Sequence, residues 1–161
     1  MDNKIRAFTY YVPENHRQSI VFDIGIGVSL PIPNAPRDIR GRLSVKALVD
    51  TGASRSAVSA RFAESARLVP FGKTDVHTAK GTDTVSVYTV DVFLPNNVWF
   101  PQMFVSEFKG ASDFDFIIGM DILSKGDMSI TNADGRTVFS FRMPPGEKHI
   151  DFTEGLDIVQ P

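Results

Sequence analysis

Apolar residues recur along this chain in short runs of alternating or β-branched positions, broken by glycine, proline and asparagine. That rhythm predicts an all-β fold. Residues 19–30 (SIVFDIGIGVSL) read as a strand in which Gly25 and Gly27 allow a bulge or a close backbone approach. Residues 31–41 hold three prolines and a glycine and read as a loop; 42–50 (RLSVKALVD) return as a second strand of the same hairpin. The period then changes. Val58, Phe62 and Ala66 recur every fourth residue, so 56–68 read as a short helix, with Ser54 or Ser56 as its cap. Residues 73–79 and 83–95 predict two strands turning at Lys80-Gly81-Thr82. Asn96-Asn97 makes a turn into 98–108, where Pro101 demands an edge or a bulge. An apolar run at 114–118 leads through Gly119 into a second short helix. A last hairpin, 127–132 and 137–143, turns at Ala133 to Arg136.

The chain reads as one domain of 161 residues, with a core from about 20 to 143, an N-terminal extension 1–19 and a C-terminal tail 144–161. It is 42% hydrophobic, and thirteen phenylalanines supply much of the core. Seventeen basic against nineteen acidic residues leave a net charge of −2, which argues against a nucleic-acid partner. The absence of cysteine removes disulfides and thiol catalysis. No run approaches the roughly 18 apolar residues of a membrane span, and Met1 to Lys4 open no signal peptide. A cytoplasmic location with no membrane partner is the expectation. His16, His77 and His149 are too dispersed for a metal site.

One acid stands where the chain should still be near the core. In Ala47-Leu48-Val49-Asp50-Thr51-Gly52-Ala53-Ser54 a strand ends on a carboxylate followed by small, turn-prone residues. Taken alone, Asp50 suits a turn or a helix cap. Far downstream comes Phe116-Ile117-Ile118-Gly119-Met120-Asp121, with a glycine-tipped hairpin between the two motifs. The pair, in that order, resembles the retropepsin-like aspartic proteases over about residues 20–143, and is most similar to the bacterial and DNA-damage-inducible members.

The resemblance implies a single-domain acid protease barrel with one or two short helices. It implies an aspartic endopeptidase without cofactor or metal, in which Asp50 from two subunits of a homodimer activates water against a peptide or protein substrate. Two carboxylates that close share one proton. Thr51 and Gly52 take the supporting positions of the family motif, and Ala53 and Ser54 those beside the substrate backbone. Ile117 and Ile118 correspond to the apolar wall, and Gly119 to the point where the chain passes the active-site loop. The hairpin 73–90 corresponds to the flap, and Ala79, Lys80, Gly81 and Thr82 to its substrate-covering tip.

Some positions depart from the retroviral pattern. Ser54 and Arg55 replace acidic residues, and Met120 replaces an arginine after Gly119. Strand 137–143 is the candidate for the dimer contact that interleaved termini make in retroviral enzymes. Asp121 lacks the Thr/Ser-Gly of a second catalytic acid and reads as the cap or anchor of the helix 121–125. Two alternatives share the fold: a peptide-binding module without turnover, adding an extended peptide as a strand, and a protease that cuts only its own chain.

Overall fold

A computed structural model describes residues 4–14, 19–28, 41–78, 81–109 and 113–154. The proline-rich loop before Gly41, the tip residues Ala79 and Lys80, and His16 lie outside the described residues. Among the described residues, ten strands and two short helices follow in order: β1 (Arg6–Tyr11), β2 (Val21–Val28), β3 (Leu43–Val49), β4 (Ala57–Ser59), α1 (Ala60–Ser65), β5 (Gly72–Thr78), β6 (Gly81–Leu94), β7 (Val98–Phe108), β8 (Phe116–Ile118), α2 (Met120–Leu123), β9 (Asp127–Thr131) and β10 (Val138–Met143). The all-β reading holds.

The larger sheet runs β2-β3-β8-β4-β7-β6-β5, and β2 pairs again with β6. That second pairing closes six strands into a barrel and leaves β5 outside it. Closure requires close approach. A Cβ on Gly27 would stand 3.1 Å from the Phe93 ring and 3.3 Å from Asp91 Cβ, so glycine there lets β2 lie against β6. On its side toward β7, the same stretch of β6 carries the bulge that Pro101 called for. The β6–β7 register shifts between Val90 and Val92, Gln102 takes φ 52°, and its N–H donates to Asp91 Oδ1 at 2.8 Å.

Alternation along the strands fills the barrel. Ile24, Ile26, Val45, Ala47, Val90, Val92, Val105 and Phe116 point inward and are buried. Each such Val or Ile contributes roughly 1.5–3 kcal/mol against exposure.

A second sheet, β1-β10-β9, packs on the barrel through aromatic residues. Phe8 meets Phe22 edge-on at 5.4 Å, and Phe22 stacks on Phe139 at 6.0 Å. Pairs of this kind add about 0.5–1.5 kcal/mol beyond area burial. This sheet differs from the sequence reading in two ways. Residues 6–11, read as part of an extension, form a strand. Strand 137–143, read as the dimer contact, is the middle strand, with β1 on one side and β9 on the other. Its backbone has no edge left to offer.

The predicted helix 56–68 is also shorter. Ala57–Ser59 form β4 because they fill a slot between β8 and β7, and Val58 is fully buried there. The helix starts only at Ala60. Its cap is Ser59, whose Oγ accepts from the Phe62 N–H at 3.1 Å. Neither Ser54 nor Ser56 caps it.

Candidate active site

The candidate site forms where β3 ends. β8 lies between β3, to which it runs parallel, and β4, to which it runs antiparallel. The chain from Asp50 to Ser56 bridges β3 and β4 and passes over the end of β8. Asp50 donates its N–H to the Ile118 carbonyl at 3.0 Å, so the first residue past β3 is still pinned to β8. Its side chain is half-buried. Gly52 donates its N–H to Asp50 Oδ1 at 2.9 Å, which fixes the carboxylate from below. A Cβ on Gly52 would sit 3.2 Å from that oxygen.

Gly119 makes the crossing possible. A Cβ there would lie 2.6 Å from the Arg55 carbonyl carbon, 2.7 Å from its oxygen and 2.9 Å from the Ala53 oxygen. All three are backbone atoms with nowhere to go. Next in the chain, the Met120 N–H donates to the Ala53 oxygen at 2.8 Å. The loop and the start of α2 are thus in direct backbone contact.

Two residues hold this arrangement from behind, and the sequence did not assign them that work. Ser56 is fully buried. Its N–H and its Oγ both donate to Asp121 Oδ1, at 3.0 and 2.7 Å, and its Oγ accepts the Gly119 N–H at 3.1 Å. Asp121 was read as the cap or anchor of its own helix. It sits in the first turn of α2, whose N-cap is Gly119, and it anchors the Asp50 loop instead. The only local signal for Ser56 is a small polar residue before an apolar strand, and its partner lies sixty-five residues away.

The other sequence candidates fall around this loop. Thr51 and Ser54 are exposed and Ala53 is half-buried. Ile117 is half-buried, while Ile118 is 1% exposed and faces the barrel core. Ile118 therefore meets Asp50 through its carbonyl and not its side chain. A second ionic cluster lies beside β4. Asp115 Oδ1 accepts from Arg61 Nε and from Ser59 Oγ, both at 2.5 Å. The Arg61 hydrogen bond holds the Asp115 carboxyl below the usual carboxylate range; partial burial opposes it and the Ser59 hydroxyl adds to it.

The β5–β6 hairpin projects from the barrel. Its register pairs Thr78 with Gly81 and His77 with Thr82, so Gly81 and Thr82, read as part of the turn, stand on β6. Gly81 takes φ 133°, which no other residue adopts comfortably. Thr82 lies on the strand, where its Oγ1 is 2.8 Å from His77 Nδ1. Thr84 Oγ1 donates to Asp75 Oδ1 at 2.7 Å two pairs further down. Cross-strand polar bonds thus stiffen the exposed part of the hairpin.

Comparison with known proteins agrees with this architecture. Residues 35–125 match the family model described as "gag-polyprotein putative aspartyl protease". The crystal structure of a retropepsin-like aspartic protease from Rickettsia conorii superposes with a TM-score of 0.51 at 16% identity, covering 86% of this chain and 95% of that one. The retroviral protease-like domain of Ddi1 from Leishmania major gives 0.41 at 19% identity, over 73% of this chain and 91% of that one. The fold is that of the retropepsin-like proteins. No curated protein matches the sequence. No helix among the described residues is long and apolar enough to cross a membrane.

Proposed function

The chain belongs to the gag-polyprotein aspartyl protease family, and from that premise we propose that it is an aspartic endopeptidase working as a homodimer. One observation carries the reading. The Asp50 carboxylate reaches solvent, while its N–H is tied to β8, its Oδ1 accepts the Gly52 N–H, and the loop behind it is tied to α2. A rigid mount for a single accessible acid is what a shared-proton pair needs from each half.

Each chain holds one Asp-Thr-Gly, so the site is complete only when a second copy brings its own Asp50. The two carboxyl groups then hold one proton between them. The ionised one takes a proton from a water lying between the pair. That water attacks the scissile carbonyl, and the protonated carboxyl gives its proton to the carbonyl oxygen. Collapse of the tetrahedral intermediate breaks the C–N bond, and the nitrogen leaves protonated. No covalent enzyme intermediate forms. Ile117 lines the side-chain pocket beside the pair. The β5–β6 hairpin closes over an extended peptide and excludes water, as lids do in hydrolases of many folds.

Asp50→Asn tests the reading. The amide is nearly isosteric, so the fold and the assembly persist, but it cannot accept a proton from water. Peptide cleavage should fall by at least about 10²–10⁴-fold, the usual cost of removing an acid–base group. Cleavage that survives in a folded Asp50→Asn protein would rule out the aspartic mechanism.

A further inference from the structure

The loop that mounts Asp50 also carries a cation. Arg55 stands five residues after Asp50 and immediately before the buried Ser56. Its backbone is held in place: a Cβ on Gly119 would come within 2.6 Å of the Arg55 carbonyl carbon. Its side chain is exposed. Among the described residues the Arg55 guanidinium makes no hydrogen bond and no ion pair. Other arginines are engaged: Arg61 on Asp115, Arg142 on Asp127, and Arg42 over the Phe93 ring, 3.6 Å from its centroid. The acids on the elements flanking the loop are engaged as well. Asp121 holds Ser56, and Asp115 holds Arg61 and Ser59. A fixed backbone thus presents a charge that the chain itself leaves uncompensated.

Sheet geometry gives its distance from Asp50. β8 separates β3 from β4. Neighbouring strands lie about 4.8 Å apart, so the end of β3 and the start of β4 are about 10 Å apart. Asp50 follows the first and Arg55 precedes the second. An extended peptide advances about 3.3 Å per residue. Lying across these strand ends with its scissile bond at Asp50, it brings the third residue from that bond level with Arg55.

We propose that Arg55 of each subunit receives a carboxylate side chain of the substrate about three residues from the scissile bond, so that acidic peptides are preferred. The inference rests on the aspartic homodimer reading above and names its substrate class. Two Asp50 carboxyl groups sharing one proton carry one negative charge, whereas two Arg55 side chains bring two positive ones. The assembled cleft therefore attracts an anionic peptide. The guanidinium fork takes a carboxylate through two parallel hydrogen bonds. Two-fold symmetry sets one Arg55 on each side of the cleaved bond, so an acid is favoured on both sides.

The test uses eight-residue peptides with an apolar centre and Glu, Gln or Lys at the third position on each side. Wild type should cleave the Glu peptide with a kcat/KM at least about ten-fold above that of the Gln peptide, and the Lys peptide least well. Arg55→Gln should erase the discrimination, and Arg55→Glu should reverse it. Lys46→Glu makes an equal charge change at an exposed position of β3 and should keep the wild-type preference. A wild type that treats the three peptides alike would overturn the proposal and leave the aspartic chemistry standing. So would an Arg55→Glu protein that still prefers Glu, or an equal loss of preference in Lys46→Glu. The same peptides with the central amide reduced, so that it cannot be hydrolysed, give Kd values independent of turnover. An Arg55-dependent preference for Glu in binding, without cleavage of any peptide, would keep the inference and remove the chemistry. Failure to bind any of the three would overturn the inference.

Discussion

The Oγ of Ser56 lies 2.7 Å from Oδ1 of Asp121, and the same oxygen accepts the Ser56 N–H at 3.0 Å. One carboxylate therefore satisfies two donors of a fully buried residue and locks the Asp50 loop to α2. The acid that a motif search finds and the acid that holds it in place are different residues on different elements.

Asp121→Ala should therefore destabilise the fold by about 2–4 kcal/mol, since it strands a buried N–H and a hydroxyl at roughly 1–3 kcal/mol each with partial relaxation. Asp121→Asn keeps one acceptor oxygen and should cost about half as much. Urea denaturation of the two variants checks the order. Equal stabilities for Ala and wild type would mean that water replaces the carboxylate.

Gly119→Ala puts a methyl group within 2.6–2.9 Å of three backbone atoms. None of them is the end of a flexible side chain, so the Asp50 loop must shift. The expected cost is about 1–3 kcal/mol in stability. Loss of peptide cleavage should exceed what the population of unfolded protein explains. A folded variant with wild-type kinetics would show that the loop adjusts without moving Asp50.

Gly81→Ala tests the hairpin. No atom lies within 4 Å of the added Cβ, so space is not the obstacle, but φ 133° is. The strain of about 1–3 kcal/mol falls on a two-stranded projection and not on the barrel. Global unfolding should hardly change, while turnover should drop several-fold through a mis-set hairpin tip. Unchanged turnover in this variant would reduce the hairpin to a surface feature.

Asp115 sets a pH dependence of stability. Its carboxyl is held low in the folded state by Arg61 and Ser59, so the folded protein binds this proton less readily than the unfolded chain does. The contribution is present above the ordinary carboxylate range and is lost as pH falls through the lowered value. Arg61→Ala should reduce stability at neutral pH and flatten the decline toward acid. Denaturation midpoints at neutral and acid pH give the comparison. Parallel curves for the two proteins would show that the pair contributes nothing measurable, which is common where the cation is as exposed as Arg61.

Local chemistry was legible in the sequence, and distant pairing was not. The Asn96-Asn97 turn, the Pro101 bulge and the final hairpin all follow from residues that dictate their own backbone, and each stands where expected. Asp50-Thr51-Gly52 and Gly119 could be singled out because their order and residue types are unusual together, and the structure brings the two segments into contact. Val58, Phe62 and Ala66 misled because a four-residue spacing also arises where a short strand runs into a helix. Val58 is buried by β7 and β8, neighbours that no local window contains. Arg6–Tyr11 alternates too briefly to announce a strand, and only β10 makes it one. Ser56 looked like a cap because its true partner is Asp121.

The pairing of β1 with β10 also sets an order of events during synthesis. Arg6 finds its partner in Met143, and Tyr11 in Val138. At roughly 5–20 residues per second, a ribosome needs on the order of ten seconds or more to deliver the second strand after the first. For that interval Phe8 and Tyr10 have no sheet to join, although the barrel strands after them can already assemble. The nascent chain thus carries an exposed aromatic strand until β10 has been made. Translation speed and chaperone supply, more than the barrel's own stability, should govern the yield of native protein.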